Sequence, residues 1–214
     1  VSMLNMIACK NSDDRYFNGY KVLLGAKMYH TKDRTIDVSN EIYGHLCNGK
    51  IVILDLSVGN AALRDKLSKK IAAYIFNSSM DCFTRGETPP NIVLYIEEAH
   101  NLIGKENKLT DTWPRIAKEG AKYRISLVYA TQEVSSVHPN ILANTENWIV
   151  SHINSEREVR ELAKFYDFSD FSKSLLRSQD VGFSRVKTLS SPFVVPIQID
   201  KFEPERIKRE RTSQ

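Results

Sequence analysis

Two adjacent carboxylates, Glu97 and Glu98, close the apolar run Asn91-Ile92-Val93-Leu94-Tyr95-Ile96. One acid can hold a magnesium ion through its water shell while the other polarises a water for attack on a γ-phosphate. That is the logic of a Walker B strand with an added catalytic glutamate. A solvated turn also places two acids at a strand end, and the pair alone does not choose between these readings. Thr131-Gln132 closes another apolar run, Ile125 to Ala130. An amide there can sense a γ-phosphate or orient the attacking water, or it can simply belong to a turn. Arg115, Lys118 and Lys122 follow i, i+3 and i+7 and so share one helical face. They read either as a solvated stripe paired with Glu119 or as cations that reach the phosphates of an adjacent subunit, the role called an arginine finger.

These groups need elements that converge. Ile92 to Ile96, after Pro89-Pro90, is rich in β-branched residues and too short for a typical helix, and so reads as a buried parallel strand. An open α/β sheet places its chemistry at such C-terminal strand ends. Upstream, Ile51 to Leu56 reads as a second buried strand, followed by a helix capped by Asn60 with Leu63, Leu67, Ile71, Tyr74 and Ile75 at helical spacing. Lys66, Lys69 and Lys70 are its solvated face or, less simply, a nucleic-acid contact. A loop is expected from Asn77 to Pro90. After Glu98 come a polar loop to Asp111 and a helix with Pro114 in its first turn and Trp113, Ile116, Ala117 and Tyr123 on its buried side.

Ile125 to Ala130 is the next buried strand, and Val137 to Ala143 is a short turn or helix begun at Pro139. Asn147 to Ile153 is a strand, and Ser155 with Glu158 forms a capping box that opens a helix. A further helix covers residues 170–177, and two strands, Val181 to Val186 and Phe193 to Ile199, end the fold. Pro196 puts the last one at an edge. Near the N-terminus a helical turn at Met3 to Cys9, a strand at Tyr20 to Ala26 and a short helix at Asn40 to Cys47 are expected. Gly44 to Lys50 matches GxxxxGK, but it leads into an apolar run and Ile51 stands where the magnesium-touching Ser or Thr belongs. It reads as a helix C-cap and turn.

Composition bounds the answer. A chain of 214 residues, 42% hydrophobic and 26% charged, can bury a full core and is not a disordered segment. A net charge of +4 permits a polyanionic partner without requiring one. Cys9, Cys47 and Cys82 form no CxxC and stand by no paired histidines, so neither a disulfide framework nor a zinc site is indicated, and a reducing, cytoplasmic setting is expected. His30, His45, His138 and His152 show no ligand spacing. No apolar run is long enough for a membrane span and no signal-peptide pattern opens the chain. A start at Val1 leads us to expect a piece of something longer.

The alternation of strands and helices predicts an α/β fold with a parallel sheet. Four motifs in order then carry a family resemblance: Ile51 to Ser57, Val93 to Asn101, Arg115 to Tyr123 and Ile125 to Gln132. Over residues 50–199 the chain resembles the C-terminal half of the HerA-type ATPases, in the larger group that holds FtsK and the VirB4 conjugation motors. The resemblance implies a partial RecA-like, P-loop NTPase domain: lead-in 1–49, core 50–199 and charged tail 200–214. It implies ATP and Mg2+ as cofactors, with Glu97 at the metal-associated Walker B position, Glu98 activating water and Gln132 sensing the γ-phosphate. Arg115, Lys118 and Lys122 lie where the family supplies basic residues to a neighbouring subunit. The implied partners are double-stranded DNA, further copies in a homo-hexamer, and a nuclease or other effector.

The chain departs from the family's pattern. Glu97 stands where Asp is usual, Ala121 replaces a basic residue, Arg124 a glycine and Glu133 an arginine. No valid Walker A loop is present, so the phosphate grip is expected upstream and this piece alone is expected to be inactive. The alternatives are a non-hydrolysing assembly or DNA-binding scaffold with the same fold, and a VirB4-like conjugation motor.

Overall fold

A computed structural model describes residues 37–56, 61–178 and 180–204. The expected turn at Met3 to Cys9, the strand at Tyr20 to Ala26, the Asn60 cap and most of the charged tail lie outside them. The chain divides into Val1–Glu41 and Ile42–Gln214, and the fold below is that of the described residues, nearly all of them in the second unit.

Helix α1, Val38–Cys47, ends in a Schellman cap: Gly49 adopts φ +69°, its N–H donates to Leu46 O (3.0 Å) and Lys50 N–H donates to His45 O (3.1 Å). The GxxxxGK match is thus a helix end. Its amides serve the helix's own carbonyls.

The chain then departs from expectation. Residues 51–56 form no strand; Ile51 and Ile53 are 92% and 89% exposed. An apolar β-branched run can become a strand only beside a partner, and no partner strand for this run is present among the described residues. Helix α2, Ala61–Thr84, outruns its predicted end at Asn77. Its stripe Ser68, Ile71, Ala72, Ile75, Phe76 and Ser79 is buried, and Phe83 meets Tyr123 edge to face at 5.6 Å. Packing of that stripe overrides the weak helix propensity of Asn77, Ser78 and Ser79. A second Schellman cap at Gly86, φ +79°, stops the helix.

Strand β1, Ile92–Ile96, pairs in parallel with β2, Ile125–Tyr129, in register from Ile92↔Ile125 to Ile96↔Tyr129. The crossover is helix α3, Thr112–Glu119, which continues as a 3-10 turn, Gly120–Tyr123. Trp113, Ile116 and Tyr123 are buried, as the sequence predicts, and so is Pro114; Ala117, expected on the same side, is only half-buried. The crossover re-enters β2 tightly, because a Cβ on Gly120 would lie 2.9 Å from Ile125 O. This β1–α3–β2 unit is the α/β element of the fold, and it is what brings the ends of the strands after Ile96 and Tyr129 together.

Beyond it, α4, Pro139–Ala143, leads to β3, Trp148–Val150. That strand is shorter than expected and antiparallel: it pairs with β4, Phe183–Thr188, which pairs with β5, Ser191–Gln198. The expected parallel sheet is present as the β1–β2 pair, and the later strands form a separate three-stranded antiparallel sheet, ordered β3-β4-β5. Composition marks a run as a strand but does not orient it. Pro196 does sit on an edge strand. Helices α5, Glu156–Leu162, and α6, Ser172–Arg177, accompany this sheet, with Val159 buried and Leu162, Phe168 and Leu175 fully so. Trp148 stacks near Phe165 at 6.0 Å and contacts Tyr166 and Phe168.

Candidate active site

Glu97 and Glu98 follow β1 directly, and Thr131 and Gln132 follow β2 one residue after its end, so the parallel register sets the two polar termini side by side. The ladder continues past the strands: Ala130 N–H donates to Ile96 O and Ala99 N–H donates to Ala130 O, both at 2.9 Å. Between those bonds Glu98 adopts φ 48°, ψ 50°. A non-glycine residue in that left-handed region costs about 1–2 kcal/mol, which the surrounding bonds hold in place.

Gln132 Nε2 donates to Glu98 Oε1 at 3.2 Å. The other oxygen, Oε2, faces His100 Nδ1 at 3.5 Å. The same His100 nitrogen lies 3.3 Å from Thr131 Oγ1, and its Nε2 lies 3.3 Å from Asn101 Nδ2. Thr131 Oγ1 in turn accepts from Glu133 N–H at 3.0 Å. Glu98 is thus held from β2's side by Gln132 and from its own 3-10 turn, Ala99–Asn101, by His100. Glu97 has a different partner: Tyr95 Oη donates to its Oε1 at 2.6 Å, two residues back along the strand and so on one face. That bond to a carboxylate, and then partial burial, push the Tyr95 phenol above its ordinary value.

A cleft of about 150 Å3 is lined by Glu97, Glu98, Ala130, Thr131 and Gln132. Half of the Glu98 side chain is open to water, at 51%. The donor set of two carboxylates and a hydroxyl consists of hard oxygens, and it fits magnesium, which keeps most of its waters and takes one or two carboxylates beside substrate phosphates. Among the described residues no cluster of three or more His, Cys, Asp or Glu forms an all-protein metal cage.

The structure brings Glu97, Glu98 and Gln132 together and leaves the three cations out of the cleft. Arg115 lies over the Phe76 ring, 4.8 Å from its centroid, with Glu119 at 4.0 Å. Lys122 lies over Phe83 at 5.4 Å and Tyr123 at 5.5 Å. Lys118 is exposed. They do not share one regular face, because α3 ends at Glu119 and Lys122 belongs to the 3-10 turn. Sequence reasoning missed Tyr95, His100 and Thr131 as partners of the carboxylates. The Tyr95–Glu97 spacing of two was legible; the meeting of His100 with Thr131, 31 residues away, was not.

No protein-family model matches the chain. Among curated proteins it is similar to the DNA double-strand break repair helicase HerA of Saccharolobus solfataricus, 30% identical over 77% of this chain and 34% of that protein. The proteins of the same name from Sulfolobus acidocaldarius and Sulfurisphaera tokodaii are 27% and 30% identical over 80% and 52% of this chain. The chain is of the HerA type. It spans about a third of the length of the first two of these HerA proteins, at 34% and 36%.

Among solved structures, the genome packaging NTPase B204 of Sulfolobus turreted icosahedral virus 2, in complex with ATP-gammaS, superposes with a TM-score of 0.55 over 74% of this chain and 72% of that one, at 13% identity. B204 of Sulfolobus turreted icosahedral virus, described as its DNA-packaging ATPase, gives 0.52 over 86% and 89%, again at 13% identity. At such identities the likeness is one of fold, and it fits a partial RecA-like domain. Within this HerA-type chain, the ends of β1 and β2 are therefore the carboxyl ends of adjacent parallel strands, where such sheets bind ligands.

Proposed function

We propose that this chain is the catalytic C-terminal part of an ATP-driven translocase or helicase of the HerA type that acts on double-stranded DNA as a cytoplasmic homo-hexamer. A nuclease or other effector is its further partner, and the Walker A loop lies upstream. The observation that carries the reading is the Glu98 carboxylate, open to water and engaged by Gln132 from the neighbouring strand end.

Magnesium, when bound with ATP, would neutralise developing phosphate charge, with Glu97 as its protein anchor through water. Glu98 accepts the proton of the attacking water, as general base. Gln132 exchanges its bond to Glu98 for one to the γ-phosphate or to that water, which frees a carboxylate oxygen as substrate arrives. His100 keeps hold of Glu98 Oε2 during that exchange. Arg115, Lys118 or Lys122 would serve a neighbouring protomer's phosphates, which agrees with their absence from the cleft of their own. No helix among the described residues is long and apolar enough to cross a membrane.

One observation favours a scaffold instead. Glu133, where the family has an arginine, is used locally, accepting from Ser136 Oγ at 2.7 Å. DNA-dependent ATP hydrolysis by the longer protein that carries this sequence, beside this chain alone and a Glu98→Gln variant, separates the two. The amide keeps the shape and loses the base, so turnover falls about 10²-fold or more with ATP binding retained. Full turnover by Glu98→Gln refutes the role of Glu98, and no hydrolysis by the unmodified longer protein, with DNA affinity intact, favours the scaffold.

A further inference from the structure

Glu158 stands at the third position of α5, where the Ser155 cap predicts that it folds back onto its own helix end. It does not. Ser155 Oγ accepts from Arg157 N–H at 3.2 Å, while the Glu158 carboxylate reaches 23 residues back to Ser135. Ser135 N–H donates to Oε2 at 2.7 Å and Ser135 Oγ–H donates to Oε1 at 2.5 Å. Ser135 is buried, and this two-point, charge-assisted grip is of the strong kind.

The segment so gripped is the 3-10 turn Val134–Ser136, whose Ser135 lies three residues beyond Gln132. The same turn is tied to the loop that follows the two carboxylates: Lys105 N–H donates to Ser136 O at 3.1 Å and His138 N–H donates to Ile103 O at 2.9 Å. Ser136 Oγ closes it on Glu133. Between Thr131 and Val137 the chain is in neither a regular strand nor an α-helix, so these bonds, with those of Thr131 to Glu133 and His100, help to set where Gln132 points. Of them, the Glu158 pair alone comes from the helices beyond β3.

We propose that Glu158 is a positioning residue for Gln132: by clamping Ser135 it fixes the turn that holds the Gln132 amide against Glu98, and so ties α5 to the hydrolytic site. The inference rests on the reading of Gln132 and Glu98 given above. It also supplies a mechanical route, since a shift of α5 would move Ser135 and loosen Gln132 without touching either carboxylate. The grip acts on aim, not on nucleotide binding, so its loss lowers kcat and spares KM.

The test has two arms. Hydrogen exchange on this chain reads the clamp directly. In Glu158→Ala the amides of Ser135, Ser136, Val137 and Lys105 exchange about tenfold faster or more while those of β1 and β2 keep their protection; unchanged exchange at Ser135 overturns the proposal. In the longer protein, Glu158→Ala lowers kcat for ATP about tenfold with KM within about twofold, and Glu158→Gln, which can still accept from the amide and pair with the hydroxyl, recovers most of it. Faster exchange with unchanged kcat overturns the coupling, as does an equal loss in Glu158→Gln and Glu158→Ala. Turnover that survives Glu98→Gln removes the functional reading instead, and the exchange arm, which needs no turnover, keeps that failure distinct.

Discussion

Glu97 and Glu98 are chemically alike and placed unlike. The first answers to a phenol on its own strand, the second to an amide from the neighbouring strand end and to an imidazole. The αL backbone at Glu98 lies between them and lets two consecutive side chains serve one cleft by different routes. Below this layer Tyr129, the last residue of β2, bonds Thr145 Oγ1 at 2.6 Å, and Thr145 Oγ1 donates to Ile141 O at 2.8 Å. Burial pushes the Tyr129 phenol up, with the Thr145 bond opposing. Its folded value lies above its unfolded one, so its contribution to stability is complete below the unfolded phenol value of about 10 and is lost as pH rises through the folded value. Tyr129→Phe is expected to lower stability at neutral pH by about 0.5–1.5 kcal/mol and to flatten the loss above pH ~10, both read by chemical denaturation as a function of pH.

At the scale of elements the crossover decides the site. Helix α3 and its 3-10 extension must deliver the chain from the end of β1 to the start of β2, and Gly120 is the point of closest approach. Its φ of −57° is ordinary, so the constraint there is steric and not conformational. Gly120→Ala places a methyl 2.9 Å from a backbone oxygen that cannot move without shifting β2. The expected cost is about 1–3 kcal/mol, or roughly 3–10 °C in melting temperature, measurable by calorimetry. A melting temperature unchanged within a degree would show that β2 yields. Arg115 and Lys122, pinned over the rings of Phe76 and Phe83, add a second tie between α3 and α2 that a purely solvated stripe would not provide.

At the scale of the molecule, a parallel pair and an antiparallel sheet are built from one chain, each with its own packed aromatic group. Tyr123 meets Phe76 and Phe83 beside the first, while Trp148, Phe165, Tyr166 and Phe168 gather beside the second. Phe168 is fully buried. Phe168→Ala should cost about 3–5 kcal/mol in a denaturant titration; a loss below about 1 kcal/mol would mean that the site collapses around the cavity. The outer face of the parallel pair is different, since Val93 and Tyr95 remain 64% and 58% exposed. Parallel sheets are ordinarily covered on both faces, and the matched part of this chain spans about a third of its first two HerA relatives.

The sequence by itself determined the two strands that lead to Glu97-Glu98 and Thr131-Gln132, because a short β-branched run closed by acids or an amide is a local pattern. It also exposed the GxxxxGK match as a helix end, through the order of its elements, and Gly49 in αL agrees. Tertiary structure alone decided what those residues meet. The absence of a strand at Ile51 to Leu56 among the described residues, the antiparallel sense of β3, the continuation of α2 to Thr84 and the diversion of Glu158 from its own helix to Ser135 each depend on groups distant in the chain. Local propensity states what a segment can be; which backbone and side-chain partners are in reach decides what it becomes.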